Sequence, residues 1–374
     1  MKRRDFLARG AVGACGLGAA GCSRLGTGSV NFKMRMAEKD YSTMIPKPVG
    51  TMPMGEIGAT GIKVSKFGFG AHIRNDMIHD EKEREWMVRE AFDLGVNFFD
   101  IYDMYSTNNN LNQYEPMGRY LAPFIDDVVI SLIMWPYDGR NLEKELERML
   151  RMYGRDYIDL VRIQAWNSAD NEASLRRQNG HRWDWWETLF RFKEKGYIRA
   201  VGVPIHFRSD LEEPLASLPL DFVMLPFNFY HNWTWMSWKP DTFDSIIPKL
   251  REKGIGIVSI KPFAGDWLVD PLKDIATEFD ESGEVHFTKA CLRYVINADL
   301  KVDTTLGGMY NPYHVYENVD AYFNPSMSDE ERDVLKKVRK RAKPLTKSLL
   351  PDHYRFLEDW VPDAWDDRDL NGIV

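Results

Sequence analysis

The chain has 374 residues, 44% of them apolar and 28% charged; this apolar content excludes disorder as a whole and can bury one large core or two ordinary ones. Its net charge of −7 leaves no basic excess to neutralise phosphates, which argues against a nucleic-acid partner. Its three cysteines are not close-spaced, which argues against a disulfide scaffold, a Cys-rich zinc site or an iron–sulfur cluster, and no metal is expected.

Residues 1–22 read MKRRDFLARGAVGACGLGAAGC. A positive start, a mildly apolar Gly/Ala stretch and small residues at its end make a signal peptide, too short and too weakly apolar to span a bilayer. Arg3-Arg4 before Asp5-Phe6-Leu7 is similar to a twin-arginine export signal. The small residues before Cys22 resemble a lipobox, so Cys22 is expected to carry a lipid anchor; an ordinary cleaved signal is the alternative. The expected location is the periplasm or cell envelope, with the membrane reached through that anchor. Residues 23–50 are rich in Gly, Ser, Lys and Pro without periodicity and read as a tether.

From there one phrase recurs: an amphipathic helix, a glycine, then a β-branched strand. EREWMVREAFDL ends at Gly95 before VNFFDI, NLEKELERMLRMY at Gly154 before YIDLVRI, WWETLFRFKEK at Gly196 before YIRAVGV, and DSIIPKLREK at Gly254 before IGIVSIK. Each glycine is expected to close its helix as a left-handed cap. The strands are nearly continuous apolar runs, as in a parallel sheet covered on both faces. With DDVVISLI, LDFVMLPF, SKFGFG and KVDTTLG there are eight strand candidates over about 270 residues, which predicts an α/β fold of TIM-barrel type. An open doubly wound sheet is the alternative, but no G-x-G-x-x-G follows a strand. Ser328 with Glu331 forms a capping box for a C-terminal helical extension, SDEERDVLKKVRKRA, whose charges read as a solvated face. The predicted barrel covers 52–342 and the tail 343–374.

In such a barrel, function lies where the strands end. That places Asp100, Asp103, Tyr105, Ile133, Trp135, Gln164, Trp166, Pro204, His206, Asn228, Lys261 and Gly308 at the mouth. Two segments after strands are long and tryptophan-rich, AWNSADNEASLRRQNGHRWDWW and NFYHNWTWMSWKPD, and loops of that length are often functional. Aromatic side chains with polar neighbours suit stacking on a sugar ring or planar ligand.

The phrases GATGIKVSKFGFG, GVNFFDIYDMY, DYIDLVRIQ, GYIRAVGVPIH, GIGIVSIKPFAG and TTLGGMYNPYHVYENV, in that order, resemble the aldo-keto reductase family from about Met52 to Ala342. The resemblance implies hydride transfer from NADPH to a carbonyl, with a tyrosine proton donor tuned by a lysine, an aspartate and a histidine. Carried over, the tyrosine is Tyr105 and the aspartate Asp100. The lysine position holds Ile133 and the histidine position Gln164. The family's Ser-Asn clasp on the nicotinamide amide reads Pro204-Ile205, its glutamine reads Met224, and Tyr310 falls where an arginine often holds the NADP phosphate. Gly308, and Asn318 beside Glu317, match the cofactor side.

These departures, with export away from the cytoplasmic NADPH pool, argue against ordinary NADPH-dependent reduction. Three readings follow. In the first, Tyr105 donates a proton, Asp100 supports it, and Gln164 acts beside them. Substrate contacts then come from Trp135, Trp166, His206, Asn228 and Lys261, with Lys261 a candidate partner for Asp100. In the second, an inactive barrel binds a small molecule or a protein through its Trp-rich mouth. In the third, Asp100, Asp103 and His206 carry acid/base chemistry on an envelope substrate.

Overall fold

The computed structural model describes residues 46–71, 81–101, 103–104, 111–112, 114–134, 141–163, 182–204, 218–230 and 246–345. A short antiparallel hairpin, β1 (Met54–Glu56) and β2 (Lys63–Ser65), precedes the barrel. The eight barrel strands are β3 (Phe67–Gly70), β4 (Phe98–Ile101), β7 (Val129–Met134), β8 (Ile158–Ile163), β9 (Ile198–Pro204), β10 (Phe222–Pro226), β11 (Gly256–Ile260) and β12 (Thr304–Gly308). They pair in parallel in chain order, and β12 closes on β3. A two-residue pair, β5 (Asp103–Met104) with β6 (Leu111–Asn112), follows β4. All eight strand candidates read from the sequence are thus barrel strands.

The described helices are α1 (Glu81–Asp93), α2 (Tyr114–Leu121), α3 (Leu142–Tyr153), α4 (Arg182–Glu194), α5 (Ile247–Glu252), α6 (Asp266–Thr277), α7 (Phe287–Asn297), α8 (Pro312–Phe323) and α9 (Asp329–Ala342). Gly95, Gly154, Gly196 and Gly254 all adopt positive φ, as the caps require. The capping box forms: Ser328 Oγ accepts from the Glu331 N–H at 3.0 Å, and Glu331 Oε2 accepts from the Ser328 N–H at 2.8 Å. The solvated reading of α9 is only partly right. Glu331 and Arg339 are buried, and Glu331 takes an ion pair from Arg293 on α7 at 2.5 Å. The helix packs that side on its neighbours, so only the opposite side is free to be wet.

Strand alternation sorts the core into two layers. Phe98, Val129, Leu160, Ala200, Phe222, Met224, Val258 and Leu306 fill the barrel, while an outer layer lies between strands and helices. Gly202 makes room for the Phe222 ring, because a Cβ there would lie 2.5 Å from it. The hairpin corks the end of the barrel where the strands begin: Ile57, Ile62 and Val64 join the inner layer. Asp303 fixes the cork, accepting from the N–H groups of Gly58 and Ile257 at 2.9 Å each and pairing with Arg251 at 2.8 Å. The chain ahead of it docks on the same end. Met52 fits beneath Gly95, Gly50 lies on the Phe323 ring, and Lys47 pairs with Glu90.

Candidate active site

Strand β8 reads IDLVRI, and its alternation divides two charged residues. Asp159 faces outward, where Arg155 (3.0 Å) and Arg199 (2.7 Å) hold it. Arg162 shares the inward face with Leu160 and points into the upper barrel. There its guanidinium grips Asp100 of β4 with both terminal nitrogens: Nη1 to Oδ1 at 2.5 Å and Nη2 to Oδ2 at 2.9 Å. Nη1 also donates to Ser131 Oγ of β7 at 2.9 Å. The side chains of Arg162 and Asp100 are 4% and 10% exposed, so the fork closes on the carboxylate almost without water. Charge-assisted, bidentate bonds of this kind are among the strongest a protein makes.

This pair stands beside Ile133, the position where the resemblance implies a lysine. Ile133 is fully buried, and its register partner on the neighbouring strand is Arg162. In a parallel pair such partners point the same way. The Arg162 cation thus stands one strand over from Ile133 and holds Asp100. Both Asp100 carboxylate oxygens accept from Arg162. Lys261 follows β11 with φ +58, and its carbonyl accepts from Asn228 Nδ2 at 3.1 Å.

Asn228 follows β10. It is buried, and its Oδ1 accepts from the Tyr230 N–H at 3.0 Å. With Nδ2 on the Lys261 carbonyl, its amide ties the ends of β10 and β11 together. Gly308 does lie at the mouth, where a Cβ would come within 3.4 Å of the Tyr310 hydroxyl. Asn318 is buried on α8 behind β12, and its Nδ2 has no hydrogen-bond acceptor among the described residues. Tyr105, Gln164, Trp135, Trp166, His206 and Cys22 lie outside the described residues. Arg162 was missed, although an arginine inside an otherwise apolar strand was the available signal.

The start of α8 frames the other side of the mouth. Asn311 caps the helix, its Oδ1 accepting from the His314 N–H at 3.1 Å, and His314 Nδ1 accepts from the Tyr310 N–H at 3.2 Å. Desolvation holds the His314 imidazole below the usual histidine range, with Glu317 opposing and Lys273 assisting. A depressed folded pKa means that the unfolded chain binds more protons between the two values. Stability is therefore expected to fall as the pH drops below about 6.5. Urea midpoints measured from neutral pH downwards should show this slope, and His314→Gln should flatten it.

A nicotinamide cofactor was tested against these residues. The adenine-side position offers an amide with an unused donor, Asn318. On the nicotinamide side the two described positions that the resemblance names, Pro204 and Met224, are buried and apolar, and Met224 belongs to the inner core. An amide buried there would find no side-chain hydrogen bond from either. These two described positions do not fit the family's clasp. Among the described residues no cluster of His, Cys, Asp or Glu is placed to hold a metal, and no helix is long and apolar enough to cross a membrane.

Eight parallel strands close into a barrel, and the Arg162–Asp100 pair lies at the end where sites of such barrels are found. The family model described as "Aldo/keto reductase family" matches residues 67–340, and the chain belongs to that family. It is 23% identical over 325 residues to L-galactose dehydrogenase of Arabidopsis thaliana, covering 79% of this chain and 96% of that one. It is 20% identical over 321 residues to the uncharacterized oxidoreductase YqkF of Bacillus subtilis, covering 76% and 96%. Among solved structures, the holo form of aldo-keto reductase AKR11C1 from Bacillus halodurans superposes with a TM-score of 0.57 at 19% identity, covering 77% of this chain and 96% of that one. Members of this family typically use NADP(H).

Proposed function

We propose that this chain is an exported, envelope-tethered member of the family that binds a small molecule at its barrel mouth and does not carry out ordinary NADP(H)-dependent carbonyl reduction. The observation that carries this reading is the replacement of a lysine at Ile133 by a fixed guanidinium on the next strand. A lysine held by an aspartate keeps N–H donors free for a phenol and can change its protonation when buried. Arg162 does neither in the same way. Both terminal nitrogens are already engaged with Asp100 and Ser131, and a guanidinium stays charged throughout the working pH range. Asp100 and Arg162 together form a locked, neutral floor, and the apolar Pro204 and Met224 support the same reading. The signal-like residues 1–22 support export, and Cys22 supports the tether.

The test is nucleotide binding. The mature protein, without its signal, would be titrated with NADPH and NADH, followed by tryptophan fluorescence and calorimetry. No binding up to millimolar nucleotide is expected. Micromolar binding would overturn the proposal, because it would mean that other residues had rebuilt the clasp.

A further inference from the structure

Among the buried arginines, Arg155 and Arg162 each hold a carboxylate. Arg84 does not. It lies in the first turn of α1 and is only 4% exposed, yet it makes no ion pair among the described residues. Its Nη2 donates to the Ala71 carbonyl at 3.1 Å, and its Nε has no acceptor there. The acid one turn earlier, Glu81, is exposed and paired with Arg119. A cation removed from water with one backbone acceptor is costly unless an anion completes it. Desolvation accordingly pushes the Arg84 guanidinium down to about 10.

The position makes that cost informative. Ala71 directly follows Gly70, the last residue of β3, and Gly70 is the register partner of both Asp100 and Gly308. Arg84 therefore stands at the rim of the mouth, one residue beyond the barrel wall. Helical side chains lean towards the helix N-terminus. Arg84 belongs to the first turn of a 13-residue helix, whose electropositive start favours anions, and the group that acts on its charge is the phenol of Tyr120, uncharged at neutral pH, and not a carboxylate. We propose that Arg84 anchors an oxyanion subsite at the rim of the mouth, taking the carboxylate or phosphate group of a ligand. This goes beyond the nucleotide question, and either outcome below leaves the NADPH titration standing.

The experiment is thermal unfolding of the mature protein in rising inorganic phosphate or acetate, with ionic strength held constant by chloride. A saturable rise of several degrees in Tm is expected with at least one anion, as binding to the folded state alone requires. A response to phosphate alone assigns a phosphate group, and a response to acetate assigns a carboxylate. Arg84→Met should lose the response. If Arg84→Met does not fold, Arg84→Lys decides: a weakened response supports the subsite and an unchanged one overturns it. The proposal is also overturned if the wild type responds to neither anion beyond chloride, or if Arg84→Met responds as fully as the wild type.

Discussion

Arg162→Leu is expected to destabilise the protein by about 3–5 kcal/mol, because it strips the partner from a carboxylate that is held inside the barrel. The size follows from the surroundings of Asp100. Both of its oxygens are bonded to Arg162, its side chain is 10% exposed, and the layer below it is made of Phe98, Val129 and Leu160. Asp100→Asn alone should also cost several kcal/mol, since it leaves the guanidinium unmatched. The double variant Arg162→Leu/Asp100→Asn should lose much less than the two single losses combined. Urea unfolding of the four proteins checks this, and strictly additive losses would show that the two groups do not depend on each other.

Ile133→Lys is the second large effect. It places an ammonium beside Arg162 on the neighbouring strand, with Asp100 as the shared carboxylate. Two cations then compete for one anion where water is nearly excluded, and a loss of at least about 3 kcal/mol is expected. Adding Arg162→Leu to the same chain should recover most of that loss, because the new lysine inherits the carboxylate. A double variant no more stable than Ile133→Lys would mean that the cation cannot be moved between the two strands. The rescued variant should still fail to bind NADPH, since Pro204 and Met224 are unchanged. That separates repair of the charge from repair of the clasp.

The barrel was legible in the sequence because its repeating unit writes itself in two independent ways. Four glycines had to follow four amphipathic helices, and all four take the left-handed conformation. The apolar runs had to be strands buried on both faces, and they are. The site was legible only in part. Asp100 was found through its place at a strand end, and Ile133 through what it lacks. Arg162 stayed hidden because a parallel-barrel strand shows no polar alternation: IDLVRI reads as one apolar run carrying two stray charges. Only the pairing of strands tells that Asp159 faces the helices while Arg162 faces the axis. The bonds that Asn228 makes were not legible either. A polar residue after a strand suggests a ligand contact, but here the backbone of Lys261 and Tyr230 uses both ends of its amide. The charges of α9 were read as wet because a helical run of Glu, Arg and Lys does not reveal that Arg293 waits on the neighbouring helix.

The corked end has a mechanical consequence. The hairpin, the Lys47–Glu90 contact and the seat of Met52 beneath Gly95 all lie at the end where the strands begin. Whatever grips the chain ahead of residue 46, a lipid or an engineered tag, pulls on the stopper and not on the doorway. Among the described residues the plugged end and the mouth lie at opposite ends of the barrel, so a load on the one is borne far from the other.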